Sequence, residues 1–393
     1  MSTSSSSPTL KRRQSATDDD NQDDDEMKKH LKTQRTTVVV TSLVTQVETG
    51  VKNGPLSQAL FEEPSSLIHD PISNITYFID FSEGFEKDQV RCIDHNAKPE
   101  PLVTQLTNFS TNWSSSLILL IPERFRTKQR HFIAYNNYYA GRLYSISSDG
   151  QQVIPLLFNV TTEVILYNIS GMSIDSIGRV VIVDKHRHYI HIITLGLENE
   201  ICYLTTIAGN GRGEYLNHVD PFKAGFKEPH GICIDDDDHI YVVDRNNHRI
   251  RRMDSKTGAI TTFPHEQLLF QGGPQCIVWE SQTKVFFVID LCSIKMISKN
   301  GMVSSIAGSD TTPGCLDGAG ENARFRTCSS LAIETVEHYS IEWVNYIQEL
   351  PVFCYWPPGL LNVVLHYLPP TTISLLVADP YNSTIRRVLV TTL

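Results

Sequence analysis

The side chains that could do chemistry are few and scattered. Five histidines stand in turn-rich stretches: His186, His188, His218, His230 and His248. Imidazole is the commonest neutral metal ligand. A catalytic zinc, however, takes three protein ligands and keeps a fourth position open. The eight cysteines, Cys92, Cys202, Cys233, Cys276, Cys292, Cys315, Cys328 and Cys354, form no C-x-x-C pair. Buried, reduced thiols are therefore expected rather than a zinc finger or a redox motif. Gly209-Asn210-Gly211-Arg212-Gly213 is glycine-rich but lacks the Lys and Ser/Thr spacing of a phosphate-binding P-loop. A serine-nucleophile motif is absent. The run Pro122 to Arg130 carries Arg124, Arg126, Lys128 and Arg130. Its charge would suit an acidic partner or phosphate, or simply water.

The elements that would position these groups repeat along the chain. The clearest copy is PHGICIDDDDHIYVVDRNNHRIRRMD, Pro229 to Asp254. It reads as three strands: Gly231 to Asp235, Ile240 to Asp244 and His248 to Met253. The residues in Ile240-Tyr241-Val242-Val243 are β-branched or aromatic, as a packed, pleated surface prefers. The same grammar returns at Gly171 to Ile193 and at Gly273 to Ser298. Its landmark is the acid that ends the second strand: Asp80, Asp184, Asp244, Asp290 and Asp379, with Tyr135 in the equivalent place of a weaker copy. Successive gaps are 55, 49, 60, 46 and 89 residues by subtraction. Removing an insertion of about 40 residues brings the last gap near the ~40–50 residues of a four-stranded propeller blade. Leu204 to Gly211, Ala259 to Phe263 and Val303 to Asp310 read as outer fourth strands. The loops that follow such strands end alike, and Phe61, Phe226 and Phe325 are expected to pack them onto the blades. Six copies predict an all-β, six-bladed propeller.

The phrases IYVVDRNNHRIRRM and VADPYNSTIRRV resemble the NHL repeat. The resemblance is looser at Gly171 to Ile193 and weak in the first two copies. It covers roughly residues 37–393 without 334–373, and it implies a six-bladed propeller. Some relatives of that family are metal-dependent lyases, and other six-bladed propellers are calcium-dependent hydrolases. Both kinds set histidine or carboxylate ligands around the central axis. Here only His230 occupies such a position. Ser65, Ser170, Gln275 and Ser329 stand there in other copies, so no ligand ring is expected. The resemblance implies a partner-binding scaffold instead. Its alternatives are RNA binding and a metal-dependent lyase or hydrolase.

The last copy stops soon after its third strand, Thr384 to Leu389. Val38 to Val47 resembles an outer strand without inner strands. It is expected to complete the last blade and to clasp the two ends of the chain together. The alternative gives that role to VLVTTL at the other end. Two domains of sequence follow. Residues 1–35 form a Ser-rich and acidic tail too poor in apolar side chains to fold. Residues 36–393 form the propeller, with 334–373 inserted in the last blade. In the tail, Arg12-Arg13-Gln14-Ser15 reads as a site for a basic-directed kinase, with Ser15 the acceptor.

Net charge is −10, and residues 1–36 sum to zero, so the propeller carries all of it. That disfavours broad nucleic-acid binding, which rests on a basic face. No apolar stretch reads as a secretory signal or a membrane span. A cytoplasmic or nuclear monomer with a protein partner and no cofactor is the expectation. Loops joining strands two and three, and successive blades, share one face. That face is the favoured binding surface, with Arg245, Asn246, His248, Tyr381 and Asn382 as candidate contacts. Trp343, Tyr355 and Trp356 in the insertion are further candidates, because Trp and Tyr dominate interface hot spots. The insertion also reads as a cap over one end of the propeller, or as a gene-model artefact.

Overall fold

A computed structural model of the chain describes residues 36–43, 49–81, 89–106, 115–127, 130–136, 141–158, 166, 168–196, 201–337 and 371–392. It shows six antiparallel sheets around one axis, an all-β propeller as the repeat predicts. Blade IV has strands Pro229–Ile234, Ile240–Asp244, Arg249–Met253 and Ile260–Phe263, running from axis to rim. The predicted second strand matches the observed one to the residue; the first and third shift by one or two. The innermost strand of each blade packs against those of its two neighbours, which closes the ring.

The last blade settles the order of the ends. Its strands are Ser330–Glu337, Thr371–Asp379, Thr384–Thr392 and then Thr36–Ser42. Thr36–Ser42 pairs along its whole length with the strand at the other terminus, from Thr36 opposite Thr392 to Ser42 opposite Arg386. VLVTTL is thus part of the third strand, and the N-terminal strand is the fourth. The insertion is narrower than expected. Glu337 pairs with Thr372, so 334–337 and 371–373 belong to the sheet. A second correction concerns blade II. There Asn136 pairs with Arg142 as Asp244 pairs with Arg249, so Asn136, not Tyr135, holds the landmark position. Tyr135 is the more apolar neighbour and looked like the end of the strand.

The landmark aspartates are structural. Asp244 accepts hydrogen bonds from the Lys227 N–H at 2.7 Å, the Asn247 amide at 2.8 Å and the Arg251 guanidinium at 2.8 Å. Arg251 also donates to the Gly225 and Leu216 carbonyls and lies over the Phe226 ring. Blades I and VI repeat this arrangement. Arg91 joins Asp80, the Leu60 and Lys52 carbonyls and Phe61. Arg386 joins Asp317, the Arg324 and Leu316 carbonyls and Phe325, with Asp379 at 3.8 Å. The three arginines are wholly buried, as are Ala59, Ala224 and Ala323 beneath the same loops. Each guanidinium thus ties the incoming loop to its blade, and the planar donor fork suits several acceptors at once. Blades III and V place His191 and Lys295 at the equivalent register.

The seam between blades VI and I holds a second polar chain. Arg387 and the Ser374 hydroxyl bind the buried Glu334 carboxylate, which lies 3.7 Å from His95. His95 Nε2 and His69 Nδ1 meet the Thr76 hydroxyl at 2.9 and 3.0 Å. Burial, helped by the neighbouring His95, lowers the His69 pKa to about 4. A histidine kept neutral on folding binds its proton only in the unfolded chain between about pH 6.5 and 4. Its contribution is therefore present above that window and is lost as pH falls, by up to about 1.4 kcal/mol per pH unit. Burial pushes Asp80 up to about 6, which acts in the opposite sense. The measurement that isolates the histidine is the stability difference between the native chain and His69→Gln, taken by urea unfolding at pH 7 and pH 5. The variant is expected to lose less stability on acidification. Equal losses would show that His69 is not held neutral.

Candidate functional site

Two faces emerge from the blade geometry, and their loops are spent differently. The face of the one–two and three–four connections is laced to itself. Asp236 pairs with Lys284 at 2.6 Å, Asp237 with Lys299 at 2.9 Å, and Asp238 accepts from Ser176. The arginines of the basic run are also engaged. Arg124 donates to the Ser176 carbonyl, Arg126 to Asp70 at 3.0 Å, and Arg130 to the Gly196 carbonyl. They staple blade II to its neighbours, so the free basic loop read from sequence is not there; Lys128 lies outside the described residues. Asp235, Asp237 and His239 bring their ligand atoms within 4.8 Å of one another. Those groups already have partners. Asp235 accepts from two backbone N–H groups and the Tyr241 hydroxyl, and His239 accepts from Ser255 N–H and faces Arg252. The cluster is the closing of a turn.

The opposite face carries the two–three turns, of which those of blades IV and VI are fixed from below by the buried Asp244 and Asp379. In blade IV the turn is Arg245–Asn247, followed by His248 at φ 55°. In blade VI it is Pro380–Asn382, followed by Ser383 at φ 50°. The left-handed residue reverses the chain into the third strand. His248 Nδ1 meets the Phe270 carbonyl at 3.0 Å. The Asn382 amide donates to Asp379 and to the Gly314 carbonyl, as Asn247 does to Asp244 and Glu214. His248 and Asn382 therefore serve the turn with their side chains. Arg245, Asn246 and Tyr381 do not. Tyr381 is 62 % exposed. The Arg326 guanidinium lies 5.9 Å from its ring and donates to its carbonyl. Asn246 is exposed, and its N–H donates to the Lys227 carbonyl. Arg245 makes no side-chain hydrogen bond or ion pair among the described residues. Sequence reading missed Arg326, which precedes an inner strand and resembles any surface arginine until the ring closes. Trp343, Tyr355, Trp356 and Ser15 lie outside the described residues.

The five histidines do not converge. His188 and His218 accept backbone N–H groups from Glu228 and Asp220. His186 is exposed. Only His230 reaches the axis, beside Ser65, Ser170, Gln275 and Ser329 as expected.

Residues 226–253 match the NHL repeat, which is the stretch where the sequence reading found its clearest copy. Over 84 residues the chain is 31 % identical to NHL repeat-containing protein 2 of Bos taurus and of Homo sapiens. That alignment takes in 21 % of this chain and 11 % of each relative, so the chain spans only a small part of their length. Among solved structures, a protein of unknown function from Bacteroides thetaiotaomicron superposes with a TM-score of 0.59 at 14 % identity. The match covers 91 % of this chain and 76 % of that one. An auxiliary nutrient binding protein from Bacteroides ovatus gives 0.57 at 14 % identity, covering 91 % and 77 %. At such identity the likeness is one of fold. The chain carries an NHL repeat within a six-bladed propeller. Among the described residues, no helix is long and apolar enough to cross a membrane.

Proposed function

We propose that this propeller is a non-catalytic scaffold, in the cytoplasm or nucleus, whose protein partner docks on the face of the two–three turns. The observation that carries this is a projecting Tyr381 with Arg326 beside it in blade VI, on the same face of a rigid frame as the uncommitted Arg245 of blade IV. Tyr and Arg are the residue types that most often anchor interfaces. A frame locked by buried ion pairs loses little freedom on binding, which leaves more of the contact energy for affinity. Metal-dependent catalysis would need two further ligands beside His230, and its companions at the axis are three serines and a glutamine.

The test is recovery of partners on the tagged full chain, with and without nuclease. A nuclease-resistant protein partner is expected. Tyr381→Ala combined with Arg245→Ala is expected to reduce its recovery at least tenfold, the consequence of losing about 1.4 kcal/mol or more. Asp237→Ala on the opposite face is expected to change nothing. Recovery that survives the double substitution would move the interface elsewhere. Recovery abolished by nuclease would make RNA the ligand.

A further inference from the structure

The six innermost strands enclose an axial channel of about 540 Å³. That is within the ~300–1,000 Å³ of small-molecule sites. Its two parts differ in chemistry. On the side of the two–three turns, where these strands begin, lie Ser65, Ser170, His230, Gln275 and Ser329. Further along, the walls are apolar, among them Met172, Ile232, Ile277, Leu331 and Trp279.

The polar end has unfilled hydrogen-bonding capacity. His230 Nδ1 lies 3.0 Å from the Gln275 carbonyl oxygen. A carbonyl only accepts, so Nδ1 carries the hydrogen and Nε2 is left as an acceptor. Nε2 has no partner among the described residues. Burial, reinforced by Arg245 and Lys185, lowers the His230 pKa to about 4 and keeps the ring neutral near pH 7. The Ser329 hydroxyl is buried without a hydrogen-bond partner among the described residues. Two cations lie near this end: the charges of Arg245 and Lys185 both reach His230, and the Lys185 backbone N–H binds the Asn168 carbonyl two residues before Ser170. Arg245 has no side-chain hydrogen bond or ion pair among the described residues and packs closely on Gly273, two residues before Gln275. A Cβ at Gly273, whose φ is 77°, would come within 2.7 Å of the Arg245 carbonyl oxygen and 3.2 Å of its Cγ. Lys185 reaches Glu228 only at 3.8 Å, beyond hydrogen-bond distance. Cations nearby, a neutral acceptor and an apolar bore together describe an amphipathic ligand.

We propose that the channel binds a small organic acid: its carboxylate at Arg245 and Lys185, a hydroxyl or amide N–H on the neighbouring carbon donating to His230 Nε2, and its apolar body along the bore. Charge-assisted hydrogen bonds to a guanidinium would anchor the head. The walls would desolvate the tail. The site rests on Arg245 in common with the proposed partner surface, whereas His230 lies inside the channel and belongs to this site alone.

The test is titration calorimetry of the full chain with three matched probes: 2-hydroxy-4-methylpentanoate, 4-methylpentanoate without the hydroxyl, and 2-hydroxy-4-methylpentanamide without the charge. The hydroxy acid is expected to saturate one site and to bind at least tenfold tighter than either analogue. His230→Ala is expected to erase the preference for the hydroxyl and to keep the preference for the charge. Arg245→Ala is expected to do the reverse, and Arg245→Lys to retain both. A merely structural role for either residue would weaken all three probes alike. His230→Ala is also expected to leave partner recovery unchanged, which separates this site from the docking face. N-acetyl-leucine and a hexapeptide ending in leucine distinguish a free acid from a protein chain terminus as the source. Absence of saturable binding by every one of these acids, equal affinity for acid and amide, or affinity unaltered in both alanine variants would overturn the proposal.

Discussion

Replacing Arg251 with methionine is expected to destabilise the fold by about 3–5 kcal/mol, the usual cost of removing one partner of a buried ion pair. Arg251 has essentially no exposed surface, and neither has Asp244. Methionine fills part of the volume and lies well against Phe226, so cavity effects are small. What is lost is the charge that offsets a desolvated carboxylate, together with donors to the Gly225 and Leu216 carbonyls. Those carbonyls are left to find water that burial excludes. The same change at Arg91 or Arg386 is expected to cost a similar amount. Lys295→Met in blade V is expected to cost less, because Lys295 is partly exposed and shares its charge between Asp290 and Asp310. Combining Asp244→Asn with Arg251→Met is expected to cost clearly less than the sum of the single changes, since each alone leaves the other group unpaired. Urea unfolding of the six variants checks this. A loss below about 1 kcal/mol at all three arginines would mean that the loops are held by their phenylalanines alone.

Removing the N-terminal strand is expected to have the second large effect. Thr36–Ser42 is the fourth strand of blade VI and pairs on its far side with the short strand Gly318–Ala319. Val40 is fully buried against the core that blades V and VI share. The Ser42 N–H and hydroxyl both bind Asp317, the carboxylate that also pairs with Arg386. Deletion through Ser42 therefore exposes a strand edge, empties a core position and loosens one of the three arginine ties. Val40→Asp alone, which buries an unpaired carboxylate, is expected to cost about 3–5 kcal/mol. A synthetic peptide spanning residues 34–44 is expected to raise the melting temperature of the deleted chain, the gain growing with the logarithm of its concentration above Kd, as for a ligand of the folded state. An unchanged melting temperature after deletion would remove the clasp as a stabilising element.

Much of this fold was legible in the chain because its signals are local and repeated. Alternation of apolar runs with Asx-rich turns places Ile240–Asp244 and its counterparts without reference to anything distant. Phe61, Phe226 and Phe325 announce the loops that pack onto blades. Blade II was harder, since Asn136 lacks the charge that marks the other copies. The partners of the landmark aspartates were not legible. Arg251 and Arg386 each stand beside a second, partly exposed arginine, Arg252 and Arg387, and Arg91 stands between Val90 and Cys92 with nothing to mark it. Period two decides which face each takes, but not which loop will cover it.

The candidate surface divides in the same way. The turns at Arg245–Asn247 and Pro380–Asn382 follow from residue type, because only some residues tolerate the left-handed position that ends them. Which side chains remain free could not be read there. His248 and Asn382 are consumed by carbonyls contributed from elsewhere in the chain, while Arg245 and Tyr381 are not. The basic run near Arg126 shows the converse, since Arg126 is paired with Asp70, over fifty residues away, and Arg124 and Arg130 donate to distant carbonyls. The sequence by itself determined the blades, their number and their order, since these rest on periodicity and short-range propensity. Only the tertiary structure decided which polar groups are satisfied internally and which are left for a ligand, because that depends on which distant acceptors the closed ring brings within 3 Å.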